Sequence, residues 1–312
     1  MQTTTAHAVS DVVTPLVPSR ILSDAELKAL SQRSDVPGAI RLAVHLSLLG
    51  LAGWWVAAAS GWMLVPAVLA LALVQVALFA PAHETMHQTA FASRWANAWV
   101  GWFAFAPSLQ SAQFYAAFHY AHHRHTNVPD HDPELGSETP ATLAGYIKRI
   151  AGIPYWTLRL QVIRDCWRGD LSAYPYINAR QAPGVIRSVR AMSALLAVAA
   201  IGSGAIWGWQ TPFLFWIIPQ IVGQMPLRAY LLAEHTGCTL DRNGLTNTRT
   251  TLTSWLVRVL MWDMPFHAEH HLYPSIPFHR LEAAHHVIRD KLAFVQPGYT
   301  RWNADFVRSL KP

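Results

Sequence analysis

Four stretches of the chain, residues 42–62, 63–82, 191–210 and 213–233, are apolar almost throughout, with a single charged side chain among them, Arg228. Each approaches the roughly 20 residues that an α-helix needs to cross about 30 Å of hydrocarbon. They fall into two pairs, and within each pair the link is very short, around "SGWM" and "WQTP". The pattern predicts two helical hairpins that enter a membrane and return. Trp54, Trp55, Trp62, Trp207 and Trp209 gather near the two turns, where an interfacial aromatic belt belongs. Two more stretches, 99–109 and 254–266, are apolar but too short or interrupted to cross, and read as helices lying along the interface. Residues 1–38 lack the basic start and short apolar core of a cleaved leader. They are expected to form a flexible cytoplasmic N-terminal segment, and 39–312 a single membrane domain.

Composition agrees with this reading. Of 312 residues, 52% are hydrophobic and only 13% charged, which departs from soluble domains toward the membrane class. The net charge of +6 comes without any nucleic-acid motif and from scattered residues, so the expected basic-face partner is a lipid bilayer and not nucleic acid. Lys and Arg number four in residues 1–41, ten in 83–190 and nine in 234–312, and neither tight turn has any. By the positive-inside rule both termini and all three basic segments are cytoplasmic, as on a bacterial inner membrane. Two cysteines, Cys166 and Cys238, are too few for a disulfide framework or a thiolate metal site.

The chemistry is carried by histidine. "HETMH" places His83 and His87 four residues apart, "HYAHH" holds His119, His122 and His123, and "HAEHH" holds His267, His270 and His271. Spacings of three and four put side chains on one helix face, so each box can present its imidazoles to a common point. Neutral imidazole is the commonest protein metal ligand. All three boxes fall on the predicted cytoplasmic side, and His235, in "AEHTGC", stands where the fourth apolar stretch returns there. Nine imidazoles overfill one octahedral centre, whereas two six-coordinate ions leave about three positions for water, oxygen or substrate. Two tetrahedral zinc ions would be saturated, with no open position. An open, nitrogen-rich, two-metal site suits iron and oxygen chemistry.

Around the boxes, Asp132 and Glu234 are candidates to receive the second ring N–H of a ligating histidine, with Asp263 weaker. Gln224 and Arg228 share a helix face with His235, inside a span where charge is costly, and are expected to orient a ligand partner or face substrate. Pro219 and Pro226 in the same stretch would bend it. His7, His45, His125, His131, His279, His285 and His286 are left as structural or solvent-facing.

At these boxes the chain resembles the membrane fatty acid desaturase superfamily. The match runs over residues 40–290. The stretch "EHTGCTLDRNGLTNTRTT" followed by "MPFHAEHHLYPSIPF" is most similar to the bacterial branch that includes dihydrorhizobitoxine desaturase-like proteins. "EHHLxPxxP" is shared with carotenoid ketolases, and "EHxxG" with alkane hydroxylases. The resemblance implies two iron ions, O2 as co-substrate, and removal of two hydrogens from an aliphatic, lipid or acyl-like substrate, with hydroxylation or ketolation as the alternative outcome. In acyl-CoA desaturases an asparagine precedes the lone histidine by one helical turn; here that position is Leu231. No "HPGG" haem-binding stretch and no cysteine set for an iron–sulfur cluster are present, so electrons must come from a separate donor of ferredoxin, rubredoxin or cytochrome b5 type with its reductase. A membrane metal transporter is the remote rival, since its ligands belong near the bilayer midplane.

The expectation is an all-α integral membrane protein: four transmembrane helices in two hairpins, and a cytoplasmic helical cap holding a histidine-rich di-metal site.

Overall fold

The computed structural model describes residues 21–311. Residues 1–20, the first part of the expected flexible segment, lie outside the described residues. The remainder of that segment is already ordered into α1 (Asp24–Leu30), where Ser23 and Glu26 close a reciprocal capping box at its start. That arrangement satisfies two backbone donors that a free helix end would leave bare. Helix α2 (Asp35–Ala58) is capped by Ser34 and so begins before residue 39, the predicted boundary.

A turn at Gly61, whose φ of +56° suits glycine, sends the chain back into α3 (Leu64–Val76) and, in the same direction, α4 (Phe79–Met86). Helices α2 and α3 meet through Ala52, Val56, Ala67, Val68 and Leu71. The polar His45 is buried there because its ring nitrogen pairs with the Val74 carbonyl at 2.9 Å. Helix α5 (Arg94–Phe105) leaves Trp95, Trp99 and Phe103 exposed, as the interfacial reading expects. Helices α6 (Ala112–His125), α7 (Leu143–Ile150) and α8 (Ile153–Arg168) lead to the long α9 (Ala182–Trp207).

After α9 the chain reverses at Gly208 and climbs through one turn, α10 (Gln210–Pro212), a π-helical stretch (Phe213–Ile217) and α11 (Ile218–His235). Three helical segments among the described residues are long and apolar enough to cross a membrane: Asp35–Ala58, Gly61–Met86 and Ala182–Trp207. The fourth predicted span is helical but carries Gln220, Gln224 and Arg228, which hold it below the apolarity of the other three. Those polar groups are used inside the molecule. Gln220 donates to Gln75 at 3.1 Å and accepts from Ser108 at 3.0 Å, and Gln75 donates to the Phe215 carbonyl. Gly223 lets α11 lie directly on α3, since a Cβ there would come within 2.6 Å of the Ala72 carbonyl oxygen.

The C-terminal portion holds α12 (Trp255–Leu260), α13 (His267–Leu272), α14 (Leu281–Ile288) and α15 (Tyr299–Ser309). The fold is predominantly helical but not purely so. Strand β1 (Thr250–Leu252) pairs in parallel with β2 (Val295–Pro297), Thr250 opposite Val295. This short sheet ties the segment after α11 to the end of the chain, and Leu22, Phe266, Ile276, Leu281 and Ile288 form an apolar cluster beside it.

Candidate functional site

Four helix ends meet on one side of the apolar helices. Helix α4 contributes His83 in its last turn and His87 as its C-cap; α6 ends on His119, His122 and His123; α11 ends on His235; and the six-residue α13 supplies His267, His270 and His271. Each helix stops at a sequence-encoded break. Thr126 leaves helical geometry after α6, Thr236 does so after α11, and Tyr273 with Pro274 ends α13.

The nine imidazoles converge in two groups. His83, His87, His119, His123 and His270 place one ring nitrogen each within 4.8 Å of one another, and so do His122, His235 and His271. His267 joins the second group, its Nε2 lying 3.1 Å from that of His235 and its ring 4.5 Å from that of His271. In the larger group, Nε2 of His87, His119, His123 and His270 form a chain with steps of 2.8, 3.0 and 3.2 Å. A ring nitrogen of neutral imidazole has either one proton or one lone pair, so these three contacts cannot all be hydrogen bonds. A cation among the nitrogens resolves that conflict. Both ring nitrogens of His83 and Nε2 of His271 are also buried without a hydrogen-bond partner, although buried polar atoms are normally satisfied. The donor set therefore fits two metal ions.

Outer partners set the rings. His122 Nδ1 donates to Asp132 at 2.9 Å, and Asp132 also accepts from the backbone N–H of Asn127 and Glu134. His235 Nδ1 donates to the Asn247 carbonyl at 3.2 Å, and His271 Nδ1 faces the Thr126 hydroxyl at 3.1 Å. For His235 and His271 the opposite nitrogen faces the cluster, where a metal would take it, whereas His122 Nε2 stands 3.2 Å from the Glu134 carboxylate. Burial holds His119, His123, His267, His270 and His271 well below the usual imidazole range, and neighbouring rings add to this. They are neutral, as ligands must be. His122 differs: burial pushes it down, but Glu134 and Asp132 outweigh that and lift it to about 9.

Glu234 lies 3.5 Å from His267 Nε2. Gln224 is fully buried with neither amide atom paired, and the Arg228 guanidinium stacks over Tyr155 at 4.5 Å. Both line a cavity of about 130 Å³ that also reaches His83, His119, His122 and His267, with Leu231 in its wall. Asp263 touches no histidine of the cluster. It binds Arg41 at 3.0 Å and Arg258 at 2.7 Å, steadying the left-handed Trp262–Asp263 turn before α13. His125 and His131 pack on each other away from the cluster.

Two contributors, His285 and Asn127, escaped the reading of the sequence, and a third, Glu134, stood among the acids after the second box without being preferred. Glu134 carries its carboxylate to 3.2 Å from His122 Nε2; its place just after the second box was the available signal. His285, left as structural, donates from Nδ1 to Glu269, which also accepts from Thr250. Asn127 donates to the carbonyls of His235, Thr239 and Asn247, joining two segments over a hundred residues apart, and nothing local in the sequence announces that.

The chain is similar along most of its length to known desaturases. It is 26% identical over 291 residues to the dihydrorhizobitoxine desaturase of Bradyrhizobium elkanii, covering 88% of this chain and 81% of that protein. It is 25% identical over 232 residues to the sn-1 oleoyl-lipid 12-desaturase of Synechocystis sp., covering 68% of this chain and 64% of that one, a little under two thirds of its length. It is 24% identical over 306 residues to the chloroplastic omega-6 fatty acid desaturase of Arabidopsis thaliana, covering 88% of this chain and 62% of that one. The family model described as fatty acid desaturase matches residues 60–303, a range that takes in all nine histidines of the cluster, so the chain belongs to the fatty acid desaturase family.

Proposed function

We propose that the protein is a di-iron, O2-dependent oxidase that introduces a double bond into an aliphatic chain at the cytoplasmic face of a bacterial inner membrane. The observation that supports this most is the convergence of nine imidazoles in two groups, with a chain of four ring nitrogens in the larger one that make more contacts than their protons and lone pairs can satisfy as hydrogen bonds. In this reading His83, His87, His119, His123 and His270 hold one ion, and His122, His235, His267 and His271 hold the other. Iron bound there supplies the redox chemistry by which O2, two electrons and two protons take two hydrogens from the substrate and leave two waters.

The residues do the rest. Asp132 fixes the His122 ring, and the Asn247 carbonyl and Thr126 hydroxyl fix His235 and His271. Glu134 and Glu234 stand where the cavity meets the second group, and Phe79, Tyr115, Leu227 and Met264 keep bulk water from the same cavity. Electrons come from a separate protein donor.

The test is to purify the protein with its metal and supply O2 with a reductase and ferredoxin. We expect close to two irons per chain and a product two mass units lighter than the substrate. A product sixteen units heavier would assign hydroxylation. One zinc per chain, unaffected by His123→Ala or His271→Ala, would refute the oxidase reading.

A further inference from the structure

The cavity beside the histidines has two unlike ends. At one end stand the rings, with Glu134 and Glu234 against His122 and His267. At the other, two arginines share one aromatic ring: the guanidinium of Arg228 lies 4.5 Å from the Tyr155 centroid and that of Arg159 lies 5.4 Å from it. Arg159 is only 5% exposed. Its polar partner is Gln110, and the Nε atoms of both arginines are buried without partners. Among the described residues neither arginine takes part in an ion pair. Gln224, fully buried with neither amide atom paired, is part of the wall of the same cavity.

Two like charges gathered in a water-poor cavity with open donors are costly unless an anion joins them. A structural carboxylate would have served if charge balance alone were needed, yet both acids of the cavity are at the histidine end. The missing partner is therefore brought by what enters. Arginine forks pair with carboxylate or phosphate oxygens. A phosphodiester within a lipid has bulky substituents on both sides, so it does not suit an enclosed wall where Gln224 has no exposure; a terminal group does.

Taking the oxidase reading as its basis, we propose that the substrate carries a free terminal carboxylate, held by Arg159 and Arg228 with Gln224, so that a C–H bond farther along its chain faces the histidines. Along α11, Arg228 and Gln224 stand seven and eleven residues before His235, about 10 and 16 Å at 1.5 Å per residue. That separation calls for a medium-length chain between the carboxylate and the bond that reacts.

The experiment is equilibrium binding by calorimetry to the purified, metal-loaded protein in detergent, with iron content measured on each sample. Decanoate should bind at least about tenfold more tightly than methyl decanoate, the ratio expected of one charge-assisted hydrogen-bonding group. Arg159→Gln and Arg228→Gln should each remove that preference with iron content unchanged, and Arg228→Lys should keep part of it. Equal affinity for acid and ester would overturn the proposal. So would tighter binding of decyl phosphate, or displacement of decanoate by phosphatidylglycerol in nanodiscs, since either assigns the anion to a phosphate. Protein that prefers decanoate but holds no iron would sink the oxidase reading and leave the carboxylate site standing.

Discussion

His235 reaches the cluster from outside the three boxes, and its ring is oriented by a carbonyl from a segment twelve residues later, that of Asn247. Because it sits at the end of α11 with its backbone outside the apolar helices, removing its side chain takes a donor without opening the hydrophobic packing. His235→Ala should therefore lower iron from two toward one per chain and abolish turnover, with helix content by circular dichroism unchanged. Two irons and normal product would exclude it as a ligand. Asp132 offers a milder test, since Asn at that position keeps the shape but removes the carboxylate that draws the His122 N–H. Outer partners of this kind typically change metal affinity about 10- to 100-fold, so Asp132→Asn should lose iron to a chelator faster than wild type by a factor in that range; an unchanged rate would make Asp132 merely the cap of the turn after α6. At this scale the sequence was most legible for the histidines that converge, because spacings of three and four report a helix face directly. It was least legible for Glu134, Asn127 and His285, whose partners are fixed by how loops cross in space.

The elements tell a similar story with a different boundary. Long apolar runs announced α2, α3 with α4, and α9, because lipid exposure removes the polar face that would otherwise interrupt them. In α11, Gln224 and Arg228, expected from the sequence to orient a ligand partner or face substrate, line the cavity, and Gln220, which the sequence reading did not single out, pairs with Gln75. The pairing of β1 with β2, forty-five residues apart in register, left no periodic trace in three-residue strands. Close contact between α11 and α3 depends on Gly223, where a Cβ would meet the Ala72 carbonyl oxygen at 2.6 Å and Val76 Cβ at 2.9 Å. Neither neighbour can swing away, one being backbone and the other the branch point of a stiff side chain. Gly223→Leu should destabilise the protein by about 1–3 kcal/mol or more through overpacking, seen as a lower melting temperature in detergent. Gly202→Leu on α9, with nothing within 4 Å, should melt as wild type does. Equal melting of the two variants would mean that α11 does not bear on α3 as described.

For the whole molecule the question is which side of the membrane holds the histidines. Trp54, Trp62, Val65, Leu69, Val198, Ile201, Ile206 and Trp209 are all exposed, an apolar surface too extensive for a soluble protein and suited to lipid. The spans of 24, 26 and 26 residues measure about 36–39 Å at 1.5 Å per residue, enough to cross with some tilt. The two tight turns, at Ser60–Gly61 and Gly208–Gln210, lie at one end of these helices; the histidine-bearing ends of α4 and α11 lie at the other. Lys and Arg are absent from the turns and concentrated in the segments that carry the histidines, and on that positive-inside count we propose that the cluster faces the cytoplasm, on the side of a soluble electron donor. The native cysteines, Cys166 and Cys238, are both buried, so an introduced cysteine can be labelled against a low background. In intact cells Ser60→Cys and Gln210→Cys, both at exposed positions, should react with an impermeant maleimide, whereas Glu138→Cys and Lys311→Cys should react only after the membrane is broken. The reverse pattern would place the histidines outside, away from cytoplasmic reductant. Labelling of Ser60→Cys without Gln210→Cys would show that the second hairpin, α9 with α11, does not cross the bilayer, since Gln210 stands at the far end of α9.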